Sequence, residues 1–445
     1  MKTGYRMWLI VVSTSLLLCG LAAAQIAPDP EIMAEVNRIK AVDNHTHVVK
    51  VVGPGEKDDD FDALPCDPLE PSEVPTMARI ENPKFLEAWQ KLWGYKYNDR
   101  DPAHIRELLA AKQHVAQEQG DNYPTWVIDH LGIEYMFANR VAMGRGLKPP
   151  RFLWVPYDDA LMAPLNNASL ANETPDRRFF YAREAGLLKR YLSEAGVTSL
   201  PATLDEYVAQ VITPTLERQK KAGAVAVKFE AAYLRSLNFG DAQPEEAKRI
   251  YARYAAGGVP SKAENITLQD VLFRAIAREA GRLGLPLHIH TGTGCGGYFD
   301  LPGSNPGLLD SVLNDASLRK TVFVLVHGGS GPYTKVMAFL LGKPNVYTDF
   351  SEQDALLSNR ALSVVIRDWL EWYPEKVMFG TDLSPGTPEI DWEETGYANA
   401  TTAREALALA LTGMVKDGEI TRARALELAR MVLRGNAIKL YGLKE

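Results

Sequence analysis

Short, nearly continuous apolar runs alternate along the chain with longer stretches in which apolar residues return at helical spacing. The runs cover residues 41–46, 134–141, 151–157, 224–230, 285–290, 322–327, 345–349 and 377–382. Apolar on consecutive positions and bounded by Gly, Pro or polar turns, they predict strands buried on both faces of a parallel sheet. Helical spacing predicts helices over 25–40 (after a short linker), 83–97, 102–119, 176–194, 204–222, 267–283, 310–318, 403–415 and 421–433. Eight strand–helix units favour an α/β fold of the (β/α)8 TIM-barrel type over an open doubly wound sheet. Between the first two strands, residues 49–132 form an excursion too long for a structureless loop. It begins rich in Asp and Pro and turns helical, which predicts a largely helical insertion able to serve as a lid. Trp89, Trp93, Tyr95 and Tyr97 read as that insertion's own packing.

The 445 residues are 46% hydrophobic and 24% charged, with a formal charge of −7. That mild acidity supplies no basic stripe for phosphates and argues against a nucleic-acid partner. Lys2 and Arg6 precede the apolar run 7–18 and an Ala22-Ala23-Ala24 cleavage signal, which predicts a signal peptide over 1–24. Export to the periplasm or the outside would leave 25–445 as one barrel domain with no membrane partner. Cys19 follows the bulky Leu18, a poor fit to a lipoprotein signal. Cys66 and Cys295 then remain; a disulfide or two free thiols both stay open.

His45 and His47 end the first strand two positions apart, so they share a face about 7 Å apart along the chain. Lys228, His290, His327 and Asp382 each end or follow a later strand, and catalytic groups of such barrels gather at that end. Six metal-compatible or charged side chains therefore point at one mouth. No Gly-x-Gly-x-x-Gly follows the first strand, and the glycines at 292, 294, 296 and 297 lack the Gly-Lys-Ser/Thr of a phosphate cradle.

The order His-x-His, Lys, His, His, Asp on successive strands resembles the amidohydrolase superfamily. Val42-Asp43-Asn44-His45-Thr46-His47, His290-Thr291-Gly292, His327-Gly328-Gly329, Phe379-Gly380-Thr381-Asp382 and Arg434-Gly435-Asn436-Ala437 are similar to phrases of its amidohydrolase-2 branch. The resemblance spans about 41–443 and implies that His45, His47, His290 and Asp382 bind a divalent metal, most simply zinc, as one or two ions. It implies for His327 either a second-metal ligand or a catalytic role, and for Asp382 the handling of the attacking water's proton. Lys228 is either a carboxylated bridge between two ions or a free ammonium for a substrate carboxylate, with Tyr233 and Arg235 beside it. Arg140 ends the second strand; an anchor for an anionic substrate and a structural ion pair are both open. His288 reads as a supporting residue rather than a ligand.

The reading is an exported metal-dependent hydrolase cleaving a C–N or C–O bond in a small amide, cyclic amide or lactone. The alternatives are a non-oxidative decarboxylase of an aromatic or unsaturated acid and a non-catalytic binding protein on the same barrel. Substrate and oligomeric state, a homo-oligomer included, are left open.

Overall fold

The computed structural model describes residues 27–444 apart from 54, 71, 72 and 242; the expected signal segment lies outside the described residues. Eight strands follow in order: β1 Ala41–Thr46, β2 Ile133–Asn139, β3 Phe152–Val155, β4 Val227–Phe229, β5 Leu287–His290, β6 Phe323–Val326, β7 Val346–Asp349 and β8 Val377–Met378. All pairings are parallel, β1 to β3 in one run and β4 to β8 in another. Single bridges from Trp154 to Ala224 and from Tyr157 to Lys228 join β3 to β4. Backbone bonds from Asn44 N to Phe379 O (2.9 Å), Asp382 N to His45 O (2.9 Å) and His47 N to Leu383 O (2.8 Å) close the ring. The fold is a (β/α)8 barrel with its strands in sequence order.

Strand alternation explains why the runs are apolar throughout. Ala41, Met136, Phe152, Val227, Leu287, Phe323, Val346 and Val377 face the large core beneath the surrounding helices. Their neighbours Val42, Phe137, Leu153, Val155, Ala226, Val324, Val326 and Met378 meet inside the barrel. Full burial of such side chains contributes about 1.5–3 kcal/mol each. Ala437 and Ile438, from the C-terminal helix Asn436–Tyr441, join the same interior cluster and stopper the barrel at the end away from the site. Tyr441 OH donates to Asn44 Oδ1 (2.6 Å) and lies 2.7 Å from His288 Nε2. His288 is thus part of the barrel filling.

Helix Lys262–Leu283 begins about a turn before the predicted start because Ser261 and Glu264 form a reciprocal capping box. Helix Trp392–Lys416 begins at 392 rather than 403. Its first turns bury Glu393, Glu394, Asn399 and Thr402, and polar residues on the buried side hide the periodicity. The stretch 310–318 breaks into two short turns, Asp310–Leu313 and Ala316–Leu318. Helices Pro244–Tyr254 and Asn359–Leu370, absent from the sequence reading, complete the units before β5 and β8.

The insertion carries helices Pro83–Trp93, Pro102–Gln119 and Tyr123–His130. Trp93 Nε1 donates to Glu394 Oε1 (2.5 Å) and Trp89 Nε1 to Glu389 O (2.8 Å), which pins these helices beside helix Trp392–Lys416. Among the described residues, none of these three helices lines the cavity at the strand ends. From the insertion, Phe61, Asp62, Leu64, Cys66 and Asp67 line the cavity at the strand ends.

Candidate active site

His45 is wholly buried at the end of β1, with Nδ1 held 2.8 Å from the Asn139 amide at the end of β2. Its Nε2 lies 3.1 Å from Asp382 Oδ1 and 3.2 Å from Lys228 Nζ. His47 turns Nε2 to the same oxygen at 3.3 Å, while Nδ1 meets Asp62 Oδ2 and Tyr157 OH, both at 3.1 Å. Two imidazoles therefore converge on one carboxylate oxygen. The Asp43 carboxylate fixes that convergence: it accepts from Thr381 Oγ1 (2.6 Å) and Thr381 N (3.0 Å), tying the β1 histidines to the loop that bears Asp382.

His327 follows β6 and sets its ring 5.0 Å from that of His45 and 4.7 Å from that of His290, centre to centre. Its Nδ1 lies 2.9 Å from Ser351 Oγ, which leaves Nε2 free. Gly328 permits this turn: its φ is 56°, and a Cβ there would stand 2.1 Å from Trp369. His327, Glu352 and Asp382 themselves adopt left-handed φ of 66°, 64° and 51°. Strain of about 1–3 kcal/mol per such residue clusters where side-chain aim outweighs backbone comfort. All three line one cavity of about 170 Å³, together with His47, Asp62, Glu230, Tyr233, His290 and the Cys66–Cys295 disulfide.

Burial and the Lys228 charge depress His45, and burial likewise keeps His290 and His327 neutral. Burial opposes a charge on His47 as well, but the Asp62 and Asp382 carboxylates push it up to about 10. Burial would raise Asp382; the imidazoles of His327, His45 and His47 override it and hold the carboxyl well below the usual range. Glu352 is pushed up to about 8 by burial and by Asp382.

The ligand atoms of His45, His47 and Asp382 lie within 4.8 Å of one another. Asp382 Oδ1 is buried without a hydrogen-bond partner in the protein. A buried, unpaired carboxylate oxygen faced by two imidazole nitrogens fits a borderline divalent cation such as zinc. Of the other residues predicted for the site, His290 stands on the cavity wall, but its Nε2 is taken by Thr293 O (2.7 Å). Lys228 lies behind the histidines, fully buried, and Tyr233 packs its ring 4.7 Å from that of His290.

Two predicted residues are elsewhere. Arg140 is fully buried and holds Asp58 with two guanidinium bonds (2.7 and 2.8 Å), plus the carbonyls of Val48 and Ala142. Arg235 binds Asp270 Oδ1 (2.8 Å) and the carbonyls of Ser236 and Asn238. Neither lines the cavity, so both are structural partners rather than substrate anchors. Asn139, Tyr157, Glu230, Ser351, Glu352 and Asp62 were not singled out. The first five end or closely follow strands, where position alone could have marked them; Asp62 sits in the irregular start of the insertion and carries no such signal.

Protein fluG of Emericella nidulans is 32% identical over 215 residues, 46% of this chain and 24% of that protein. The match thus spans about a quarter of the length of the curated relative. Glucuronate isomerase of Caulobacter crescentus superposes with a TM-score of 0.56 at 13% identity, covering 93% of this chain and 94% of that one. A provisionally assigned metal-dependent hydrolase of Lactobacillus casei gives 0.54 at 16% identity, covering 92% and 97%. At these identities the structural likeness is one of fold. The family model described as amidohydrolase matches residues 42–443, from the His-x-His strand through the helix that stoppers the barrel. The chain belongs to the amidohydrolase family.

Proposed function

We propose that the protein is an exported metal-dependent hydrolase that cleaves a C–N or C–O bond of a small carbonyl compound, an amide, cyclic amide or lactone. The observation that carries this reading is the convergence of His45 Nε2 and His47 Nε2 on the unpartnered Asp382 Oδ1 at 3.1 and 3.3 Å. His45, His47 and Asp382 would hold the ion, with zinc favoured by the nitrogen-rich donor set. When bound, it supplies Lewis-acid polarisation of a carbonyl and lowers the pKa of a water to about 7.

The remaining work falls to the chain. Asp382, kept ionised by its imidazole neighbours, accepts the proton of the attacking water and returns it to the leaving nitrogen or oxygen. His327, neutral, spends its Nδ1–H on Ser351, so its Nε2 lone pair is left to accept a proton or to serve a metal. Asp62 and Tyr157 orient His47 through Nδ1, the partner arrangement that steadies metal-binding histidines. Export is supported by the basic and apolar N-terminal pattern and by the Cys66–Cys295 disulfide.

Metal content of the mature protein tests the proposal together with an Asp382→Asn variant. One equivalent of metal per chain leaves Lys228 as an ammonium, and two favour a carboxylated Lys228. In either case Asp382→Asn should lower hydrolysis at least about 10²-fold with the fold intact. No uptake of zinc or manganese, or a full rate in that variant, overturns the assignment.

A further inference from the structure

Five carboxyl groups line the cavity beside the imidazoles of His47, His290 and His327. Asp62, Asp67, Glu230, Glu352 and Asp382 line it, and no lysine or arginine does among the described residues. Four of these carboxyl groups have evident occupations or solvent. Asp382 faces the histidines, Asp62 holds His47, and Glu352 Oε2 accepts from Thr293 Oγ1 (2.8 Å) and Ser330 Oγ (2.7 Å). Asp67 is exposed at the mouth.

Glu230 stands with His47 and Asp62, the ligand atoms of the three within 4.8 Å of one another. It is only 3% exposed, and its Oε2 has no hydrogen-bond partner in the protein. The nearest cation, Lys228 Nζ, stays 3.9 Å from Oε1, beyond hydrogen-bond reach. A buried carboxyl oxygen left without a donor costs about 1–3 kcal/mol, a cost that folds carry where a ligand later supplies the donor. The same cavity wall carries the ring of Tyr233 and the apolar side chains of Phe61 and Leu64, suited to a hydrocarbon body.

We infer that the substrate carries a positively charged nitrogen group, ammonium or guanidinium, and that Glu230 receives it. The inference rests on this cavity being the substrate site proposed above. It departs from the substrate carboxylate for which Lys228 and Arg140 were open candidates. Ammonium and guanidinium offer several N–H donors to the unpartnered oxygen.

The test uses two isosteric probes, benzylammonium and benzyl alcohol, titrated by calorimetry into the metal-loaded mature protein at neutral pH. Benzylammonium should bind at least about tenfold tighter, the loss expected when a buried charge-assisted bond is missing. Glu230→Gln should abolish that gap while metal content stays unchanged. Equal affinity of the two probes in the parent protein overturns the proposal, even should the variant fail to fold. So does an unchanged gap in Glu230→Gln, or a zinc equivalent that disappears with it, which would assign the carboxylate to a metal. The titration reads binding, not turnover: a preserved gap with no hydrolysis would sink the hydrolase reading alone, and hydrolysis without a gap would sink this one alone.

Discussion

Asp158 follows β3 fully buried, with Gln219 Nε2 donating to Oδ1 (2.8 Å) and Oδ2 unpartnered. Burial pushes its carboxyl up to about 7, against the milder pull of Gln219 and Arg218. The folded state thus keeps a proton that the unfolded chain releases near pH 4, so Asp158 weakens the fold as pH rises from about 4 to 7 and stays costly above. Asp158→Asn should leave Tm unchanged at pH 4 and raise it at pH 8; equal shifts at both pH values would refute the account. Single residues also show where the sequence was readable. His45 and His47 were, because a strand end fixes the direction of alternate side chains. Arg140 misled, because the run was extended to 141 while β2 ends at Asn139, and the side chain delivered to His45 is that of Asn139.

At the scale of elements, the strands were legible because both their faces are buried, whereas helix Trp392–Lys416 was half hidden by the polar residues it buries. The insertion was legible as helical but not in its placement, since contacts such as Trp93 with Glu394 span about three hundred residues. Its start contributes what no periodicity announces: Asp62 reaches across to His47. Asp62→Ala should weaken zinc binding by about 10–100-fold in a chelator competition, with little change in Tm, because the histidine loses the partner that orients it. An unchanged zinc affinity would reduce Asp62 to packing.

Across the whole molecule, the Cys66–Cys295 disulfide joins positions 229 apart in sequence, from the start of the insertion to the loop after β5. Closing so long a loop stabilises by about 5 kcal/mol in the chain-entropy account and by about 2–5 when native disulfides are removed. Reduction of the protein should therefore lower Tm and, by loosening 61–67, release bound zinc faster; a metal off-rate indifferent to reductant would separate the bond from the site. The bond also sets an order of events. Until it closes, the segment bearing Asp62 is free to leave His47, and an ion lodged between the histidines can be exchanged for another. Once it closes, an ion held by the histidines would exchange more slowly. For an exported chain, metal identity would then be decided by whichever ion is at hand when the cysteines pair, a selection by timing and compartment rather than by affinity.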